Sequence, residues 1–396
     1  MGAQQKRRIP GVMAPSVRSA SSPALIVPPT EDSDAKIDFS VDIEGVPSCQ
    51  DVIDLLKLKE KKALYDCVID VCRKVLPGWE QVQEISLDRV SGAMTNAVYF
   101  LDSPGKSRVL LRVYGVGADN LVDRKRELAW LSRLSQVSNN VSPQLLATFG
   151  NGRFEEYLDS TTLTHAELSD PTTSCQIAQA LRQLHSLADD YPPPTTSKGV
   201  PFVEIWRNIT QWYTAIRELM NQDTWKAKFK DFDLESLPAE IERCKAIMER
   251  FPSPTVFAHN DTQYGNVLRL TETGELVIVD FDYVGYNPLA FDLGNHLNEW
   301  MYNYHGDHPA EPMPEYFPSK EQRLRFLNAY IGDKPIPEHP SVEELDQCVL
   351  AWAVAGHLQW ALWGVIQYSQ SEIDYDYHLY AKARFDIFRK KLANYP

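Results

Sequence analysis

A short β-hairpin pattern lies in a half of the chain whose remaining patterning is helical. Two apolar runs, 267–270 and 276–279, flank the turn sequence Thr-Glu-Thr-Gly, which predicts two strands joined by a tight connection. Asn266 directly precedes the first strand, and Asp280 directly follows the second. Because the strands of a hairpin are antiparallel, their outer ends lie side by side. The pattern therefore predicts that Asn266 and Asp280 come together in the fold.

The polar residues around this hairpin favour a phosphoryl-transfer site. Asp261 precedes both Asn266 and Asp280. Phosphoryl transfer requires a carboxylate that orients and deprotonates the attacking hydroxyl, together with oxygen ligands for magnesium, and magnesium binds carboxylate and amide oxygens. Asp and Asn also commonly stabilise turns, which is an alternative explanation for any one of these residues. It does not explain their joint order around a hairpin.

Composition excludes some classes of partner and leaves the reaction open. The chain has 54 acidic and 40 basic residues and a formal charge of −14 at pH 7, which disfavours nucleic acid or an anionic membrane surface as the main partner. Six widely separated cysteines without a Cys-x-x-Cys pair predict neither a disulfide framework nor a zinc site. The chain lacks a continuous run of roughly 18 apolar residues. We therefore expect a cytoplasmic protein without membrane insertion.

The chain divides into three parts by composition and periodicity. Residues 1–40 are rich in Ser, Pro and Ala and predict a disordered tail. Residues 50–157 predict a small, strand-rich lobe, and residues 158–396 a larger and mainly helical lobe, which together give an α+β architecture. The predicted strands lie at 85–101 around a turn, 108–114, 144–149 and 153–158, and the predicted helices near 50–76, 123–134, 172–188, 203–220, 236–251, 320–331 and 342–368.

Two longer motifs resemble a known family. The sequence HNDTQYGN at 259–266 and the sequence VIVDFDYVGYNPLAFDLGNHLNEWMYNY at 277–304 resemble the paired signatures of the choline and ethanolamine kinases. This family is part of the protein-kinase-like superfamily, which also contains the aminoglycoside phosphotransferases. The resemblance extends over residues 85–388, and the second motif is the more specific of the two. It implies a two-lobed protein-kinase-like fold, ATP as co-substrate and Mg²⁺ as cofactor.

The resemblance also implies roles for residues of both lobes. In the second lobe, Asp261 would be the catalytic base, Gln263 would lie beside the substrate, and Asn266 and Asp280 would bind magnesium. Asp282 and Asp292 are less certain, since Asp292 is equally explained as a structural acceptor that holds the catalytic loop. In the first lobe, Arg112 would contact phosphate, where its planar guanidinium can bind two oxygens. The other expected nucleotide contacts are the ion-pair partner Glu127, the phosphate-covering loop residues Ser91, Gly92, Thr95 and Asn96, and the adenine-binding hinge Glu155, Glu156 and Tyr157.

An aromatic cluster is the expected acceptor site. Trp360 and Trp363 are three residues apart on a predicted helix and therefore share a face. Core packing is the usual role of such residues, but a quaternary ammonium group also requires aromatic faces and a nearby carboxylate. By resemblance, the cage would comprise Tyr304, Trp360, Trp363, Tyr375 and Tyr380, with Tyr283 nearby and Glu299 supplying negative charge.

The expected activity is ATP-dependent phosphorylation of choline to phosphocholine, the first step of the CDP-choline route to phosphatidylcholine, with ethanolamine as a further acceptor. The alternatives are an ethanolamine kinase, another small-molecule kinase of the aminoglycoside phosphotransferase-like superfamily, and an inactive scaffold. The acidic net charge argues against a nucleic-acid partner. The resemblance allows a homodimer.

Overall fold

The computed structural model describes residues 45–53, 61–90, 96–114, 124–135, 142–196, 199–333, 336–339, 341–371 and 373–396. The predicted tail at 1–40 lies outside these residues, as do Ser91, Gly92 and Thr95 of the predicted phosphate-covering loop. Asn96 begins a strand, but its side chain is also outside the description.

The first part of the chain forms one antiparallel sheet with two helices. The predicted strands are present, and neighbours in the sheet follow the order β1-β2-β3-β5-β4. Leu111 and Val113 pack into a core that also contains Leu64 and Val68, because alternate residues of a strand face opposite sides. Arg112 faces the other side. The elements are α1 (Lys61–Val75), β1 (Ser86–Arg89), β2 (Asn96–Asp102), β3 (Val109–Tyr114), α2 (Arg124–Leu134), β4 (Leu145–Phe149) and β5 (Gly152–Glu156).

The second part is mainly helical, as predicted. The α+β architecture, with a strand-rich first part and a helical second part, is therefore confirmed. Its helices are α3 (Pro171–His185), α4 (Leu187–Asp190), α5 (Glu204–Leu219), α6 (Asp223–Lys228), α7 (Leu237–Met248), α8 (Leu289–Glu299), α9 (Lys320–Ile331), α10 (Val342–Gln370) and α11 (Tyr377–Leu392). Its strands are β6 (Ser160–Thr162), β7 (Thr255–Ala258), β8 (Val267–Leu270), β9 (Leu276–Ile278) and β10 (Gly285–Pro288).

Two strand pairs hold the loops that carry the predicted chemistry. The predicted hairpin is β8–β9, with Val267 opposite Ile278. The second pair, β7–β10, places Ala258 opposite Gly285. The segment 259–266 runs from β7 to β8, and the segment 279–284 runs from β9 to β10. The two loops therefore face each other between two ladders.

Helix α10 lies at the centre of the helical part and packs against α5, α8, α9 and α11. Within the described part of the chain it is the one helix long and apolar enough to cross a membrane, and 94% of its most apolar window is buried inside the protein. Packing on all sides therefore accounts for its apolar composition.

Gly294 allows α8 to approach α10 closely. A Cβ atom added at Gly294 would lie 2.7 Å from the carbonyl oxygen of Val349 and 2.9 Å from the backbone nitrogen of Ala353. These neighbours are backbone atoms of a long packed helix, which cannot move without shifting the helix. A glycine is therefore required at this crossing.

We expect Gly294→Ala to destabilise the protein, because overpacking typically costs about 1–3 kcal/mol against a helix-propensity gain of about 1 kcal/mol. Gly364→Ala on α10 is the matched comparison, since its Cβ would come no closer than 3.0 Å to the side chains of Tyr380 and Ala381 and 3.2 Å to the nearest backbone atom. Urea unfolding should give a lower midpoint for Gly294→Ala than for Gly364→Ala. Equal midpoints would contradict the packing argument.

Candidate active site

The predicted catalytic loop, residues 259–266, is held by one buried carboxylate. Asp292, in the first turn of α8, accepts hydrogen bonds from the backbone N–H of His259 at 2.9 Å and of Asn260 at 2.7 Å. Its Oδ2 also lies 2.8 Å from Nε2 of His185. Burial by itself would raise the pKa of Asp292, but its hydrogen bond to His185 and the proximity of both histidines lower it. Of the two roles considered for Asp292, its contacts are those of the structural acceptor.

Asn260 links this loop to the opposite one. It adopts a left-handed backbone conformation with φ of 68°, which Asn tolerates better than most residues. Its side-chain amide donates to the carbonyl of Tyr283 at 2.8 Å and accepts from Nδ2 of Asn287 at 2.8 Å. Its carbonyl accepts from Nδ2 of Asn295 at 3.0 Å. The loop 259–266 is therefore joined by hydrogen bonds to the loop 279–284 and to strand β10, which follows it.

Asp261, Gln263 and Asn266 lie together at the end of the hairpin. The side-chain amide of Asn266 donates to the carbonyl of Asp261 at 2.8 Å and to its carboxylate at 3.1 Å. Gln263 donates to Oδ1 of Asn266 at 3.1 Å. Burial, together with the negative charges of Glu299 and Asp280, raises the pKa of Asp261 well above its usual range. Asp261 therefore lies in a site that favours added positive charge.

The oxygen atoms of Asn266 and Asp280 suit a magnesium ion. The backbone N–H of Val279 donates to the carbonyl of Asn266 at 2.9 Å, so the ladder continues to the point where Asp280 follows. No group of three or more His, Cys, Asp or Glu residues in the described ranges could hold a metal. Magnesium commonly uses one or two protein ligands together with substrate phosphates and water, and this small oxygen set is compatible with it.

The carboxylate of Asp280 also contacts the predicted phosphate-binding residue. Nη1 of Arg112 lies 3.3 Å from Oδ1 of Asp280, and Nε of Arg112 lies 3.2 Å from Oε1 of Glu155. The predicted phosphate-binding side chain of the first part therefore reaches the predicted metal ligand of the second part.

The prediction that Glu127 forms an ion pair with Arg112 is wrong. Glu127 instead contacts Arg153 at 2.6 Å and Arg124 at 2.7 Å, and Glu155 lies between Arg112 and Arg153. The reason is the sheet register, which places Arg112 directly opposite Arg153. Two neighbouring guanidinium groups on one face require more than one carboxylate, and β5 and α2 each supply one.

Glu155 therefore has a side-chain role that the hinge prediction did not include. Glu155 and Arg153 are two residues apart on β5 and therefore share one face of the sheet, next to Arg112 on β3. This spacing was the available sequence signal for their contact. The backbone N–H of Glu156, another predicted hinge residue, already donates to the carbonyl of Gln144 at 2.9 Å. Tyr157 follows directly after β5.

Asp282 belongs to the same ion network. Its carboxylate lies 3.2 Å from Nη1 of Arg124 and 4.0 Å from Nη1 of Arg112. Burial would raise the pKa of Asp282, but the two guanidinium charges lower it below its usual value. A charged Asp282 therefore joins α2 to the loop that carries Asp280.

The predicted acceptor residues form a connected aromatic cluster around Glu299. The hydroxyl of Tyr304 donates to Glu299 at 2.6 Å, and Nε1 of Trp363 donates to the hydroxyl of Tyr283 at 2.7 Å. The Trp363 ring contacts the rings of Trp360 and Tyr380 at 5.4 and 6.0 Å. Tyr375 contacts Tyr380 at 5.9 Å. The Tyr302 ring joins the two groups, since it lies 6.0 Å from the Tyr304 ring and 5.6 Å from the Tyr380 ring.

Two of these contacts differ from a simple cage. Nε1 of Trp360 donates to Oδ1 of Asn295 at 2.8 Å, so Trp360 also supports the loop that Asn295 holds. Arg384, which the sequence interpretation missed, donates to Glu299 at 2.7 Å and lies 3.9 Å from the ring centroid of Tyr302. Arg384 is 0% exposed. On a helix near the chain end, an Arg gives no sequence signal of such burial.

Comparisons with known proteins identify the family of this chain. The family model for choline/ethanolamine kinase matches residues 87–389. The chain belongs to the choline/ethanolamine kinase family. It is 33% identical to a probable choline kinase 2 of Arabidopsis thaliana, covering 81% of this chain and 90% of that one. It is also 33% identical to a choline/ethanolamine kinase of Homo sapiens, covering 80% of this chain and 83% of that one.

The fold also matches this family. A crystal structure of a choline kinase from Cryptosporidium parvum superimposes with a TM-score of 0.65 at 23% identity, covering 83% of this chain and 95% of that one. The two-lobed protein-kinase-like fold expected from the sequence is therefore confirmed. As in other kinases of this family, ATP is the co-substrate.

We expect Asp292→Asn to destabilise this family member. The amide would place an NH₂ group against the backbone N–H of His259 or Asn260, leaving a buried donor without an acceptor. Such losses cost about 2 to 4 kcal/mol, measurable by urea unfolding. Asp70→Asn is the control, since it weakens only an exposed ion pair with Arg73, at 3.6 Å on α1, and such pairs contribute at most about 1 kcal/mol. A loss no larger than that of the control would contradict the role given to Asp292.

We also expect Asp261→Asn to alter the pH dependence of stability. Because the pKa of Asp261 is raised in the folded state, the unfolded chain releases this proton first, and stability falls as pH rises above about 4. In buffer without magnesium or nucleotide, Asp261→Asn should make that decline shallower and stabilise the protein at neutral pH. Asp70→Asn, which removes an exposed carboxylate on α1, should leave the decline in place. Identical profiles for Asp261→Asn and wild type would refute the argument.

Proposed function

We propose that this protein transfers the γ-phosphoryl group of MgATP to the hydroxyl of choline, giving phosphocholine and ADP, with ethanolamine as a second acceptor. The observation that carries the proposal is the position of Asp261. It hydrogen-bonds Asn266, and its pKa is raised by both Glu299 and Asp280. A base close to the oxygen ligands on one side and to the aromatic cluster on the other suits transfer to a cationic alcohol.

Asp261 would orient the acceptor hydroxyl and take its proton. A raised pKa makes this carboxylate a better proton acceptor than an exposed Asp. The cationic head of the acceptor would lie near Glu299 and offset the negative charge that raises this pKa. Gln263 holds Asn266 by a hydrogen bond and would border the reacting hydroxyl.

The nucleotide would lie between the two lobes, for which we propose residues 50–157 and 158–396. Magnesium held by Asn266 and Asp280 would neutralise developing phosphate charge. Arg112, oriented by Glu155, would move away from Asp280 and bind a phosphate oxygen instead. Glu127 and Asp282 would keep α2 in place behind it. The loop residues Ser91, Gly92, Thr95 and Asn96 and the backbone of Tyr157 remain the expected phosphate and adenine contacts.

The aromatic cluster favours a quaternary ammonium group. Trimethylammonium has no N–H to donate, so its binding depends on ring faces, each worth about 0.5 to 2 kcal/mol. Tyr283, Tyr304, Trp363 and Tyr380 would supply those faces, with Tyr375 behind them. Trp360 would position the catalytic loop as much as the acceptor. A polycationic aminoglycoside would instead require several carboxylates here.

Ethanolamine is the second candidate acceptor because Glu299 can accept hydrogen bonds from a primary ammonium. The relatives include proteins named for both amino alcohols. We further propose a cytoplasmic location, no insertion into membranes, and a homodimer as the form to test by light scattering.

ADP release should be measured with choline, ethanolamine and an aminoglycoside as acceptors. We expect choline to support the highest kcat/KM, and Asp261→Asn to lower kcat by about 10² to 10⁴ while ATP still binds in calorimetry. Asp70→Asn, which changes an exposed carboxylate on α1, is the control and should retain activity. The proposal fails if neither amino alcohol stimulates ADP release, and Asp261 loses its role if its variant turns over normally.

A further inference from the structure

Tyr264 lies within the catalytic loop but has no part in the chemistry proposed above. It follows Gln263 in a 3-10 turn and is buried. Its hydroxyl accepts a hydrogen bond from the backbone N–H of His305 at 3.1 Å and lies 2.7 Å from Nδ1 of the same residue. Oδ1 of Asn303 lies 3.3 Å away. The catalytic loop is thus tied to the segment 303–305.

That segment carries an acceptor-site residue. The Tyr264 ring stacks on the Tyr304 ring, with 6.2 Å between centroids and 27° between planes. Tyr302 also stacks on Tyr304, at 6.0 Å and 12°. The hydroxyl of Tyr304 is in turn the 2.6 Å donor to Glu299. Tyr264 therefore contacts Tyr304 through its ring and holds the residues on either side of it through its hydroxyl.

We propose that Tyr264 is a positioning residue that sets affinity for the cationic acceptor. It fixes Tyr304, and Tyr304 orients Oε2 of Glu299 while Arg384 binds Oε1. Without that donor, Glu299 is free to turn fully towards Arg384, and its charge is then less available to an ammonium group. This inference rests on the proposed function and adds to it a determinant of acceptor affinity separate from the nucleotide site.

Simple core packing is the competing explanation for Tyr264, and it makes a different prediction. Packing depends on the ring, which Tyr264→Phe retains, whereas the tie to 303–305 depends on the hydroxyl. A packing defect would also lower stability and affect both substrates. The positioning role instead predicts a selective change in binding of the amino alcohol.

The first experiment measures steady-state kinetics of Tyr264→Phe with choline and with ATP. We expect the KM for choline to rise about tenfold, the size that corresponds to a lost buried hydrogen bond, with the KM for ATP unchanged and kcat within about twofold. Choline binding by calorimetry without ATP should weaken equally. Tyr213→Phe on α5 is the matched control. It also removes a half-buried hydroxyl, which donates to the carbonyl of Leu234 at 3.2 Å.

The second experiment tests whether Tyr264 acts through Tyr304. If it does, Tyr264→Phe combined with Tyr304→Phe should raise the KM for choline no further than Tyr304→Phe alone. Independent, multiplying effects would overturn the inference, as would an unchanged KM or an equal rise for choline and ATP in Tyr264→Phe. Wild-type protein that phosphorylates no amino alcohol would overturn the proposed function, and the inference with it. If wild-type protein phosphorylates choline and Tyr264→Phe has the same KM for choline, only the inference about Tyr264 is overturned.

Discussion

The site depends on the two hydrogen bonds that Asp292 accepts from the backbone of His259 and Asn260. Asn260 has positive φ, and this conformation turns the chain so that Asp261 lies beside Asn266. A buried ionised acceptor is costly unless its partners are complete. Backbone donors and His185 provide them. The same carboxylate thus stabilises the fold and fixes the direction of Asp261.

The two lobes meet through alternating charges rather than through apolar packing alone. Arg112 and Arg153 are opposed on neighbouring strands, and Glu127 and Glu155 separate and neutralise them. Arg153 is only 1% exposed, so each guanidinium must keep a carboxylate partner. Asp282 extends the alternation into the second lobe. Binding of a phosphate by Arg112 would therefore rearrange a network that already spans both lobes.

The sequence was informative where pattern and chemistry coincide. The β8–β9 hairpin was predicted because apolar runs flank a Gly-containing turn, and its ladder joins Asn266 to Val279, the residue before Asp280. The β7–β10 pair was missed because Gly285–Pro288 has the composition of a turn. Helix α8 was not predicted, because all of it is buried and its polar residues, such as Asp292 and Asn295, therefore do not mark a solvent-exposed face.

The side-chain partners were predictable only in part. Sequence distance gave no reason to pair Glu299 with Arg384, 85 residues apart, because burial of an Arg depends on the completed core. Glu299 is therefore not a free charge that awaits a cation, since Arg384 already neutralises one of its oxygens. If Glu299 binds the acceptor as we propose, specificity would depend on whether its carboxylate faces the Arg384 guanidinium or the ammonium group of the substrate, which Tyr304 controls. A site built in this way can favour a weakly hydrated quaternary cation, because ring faces supply the attraction that a half-neutralised carboxylate does not.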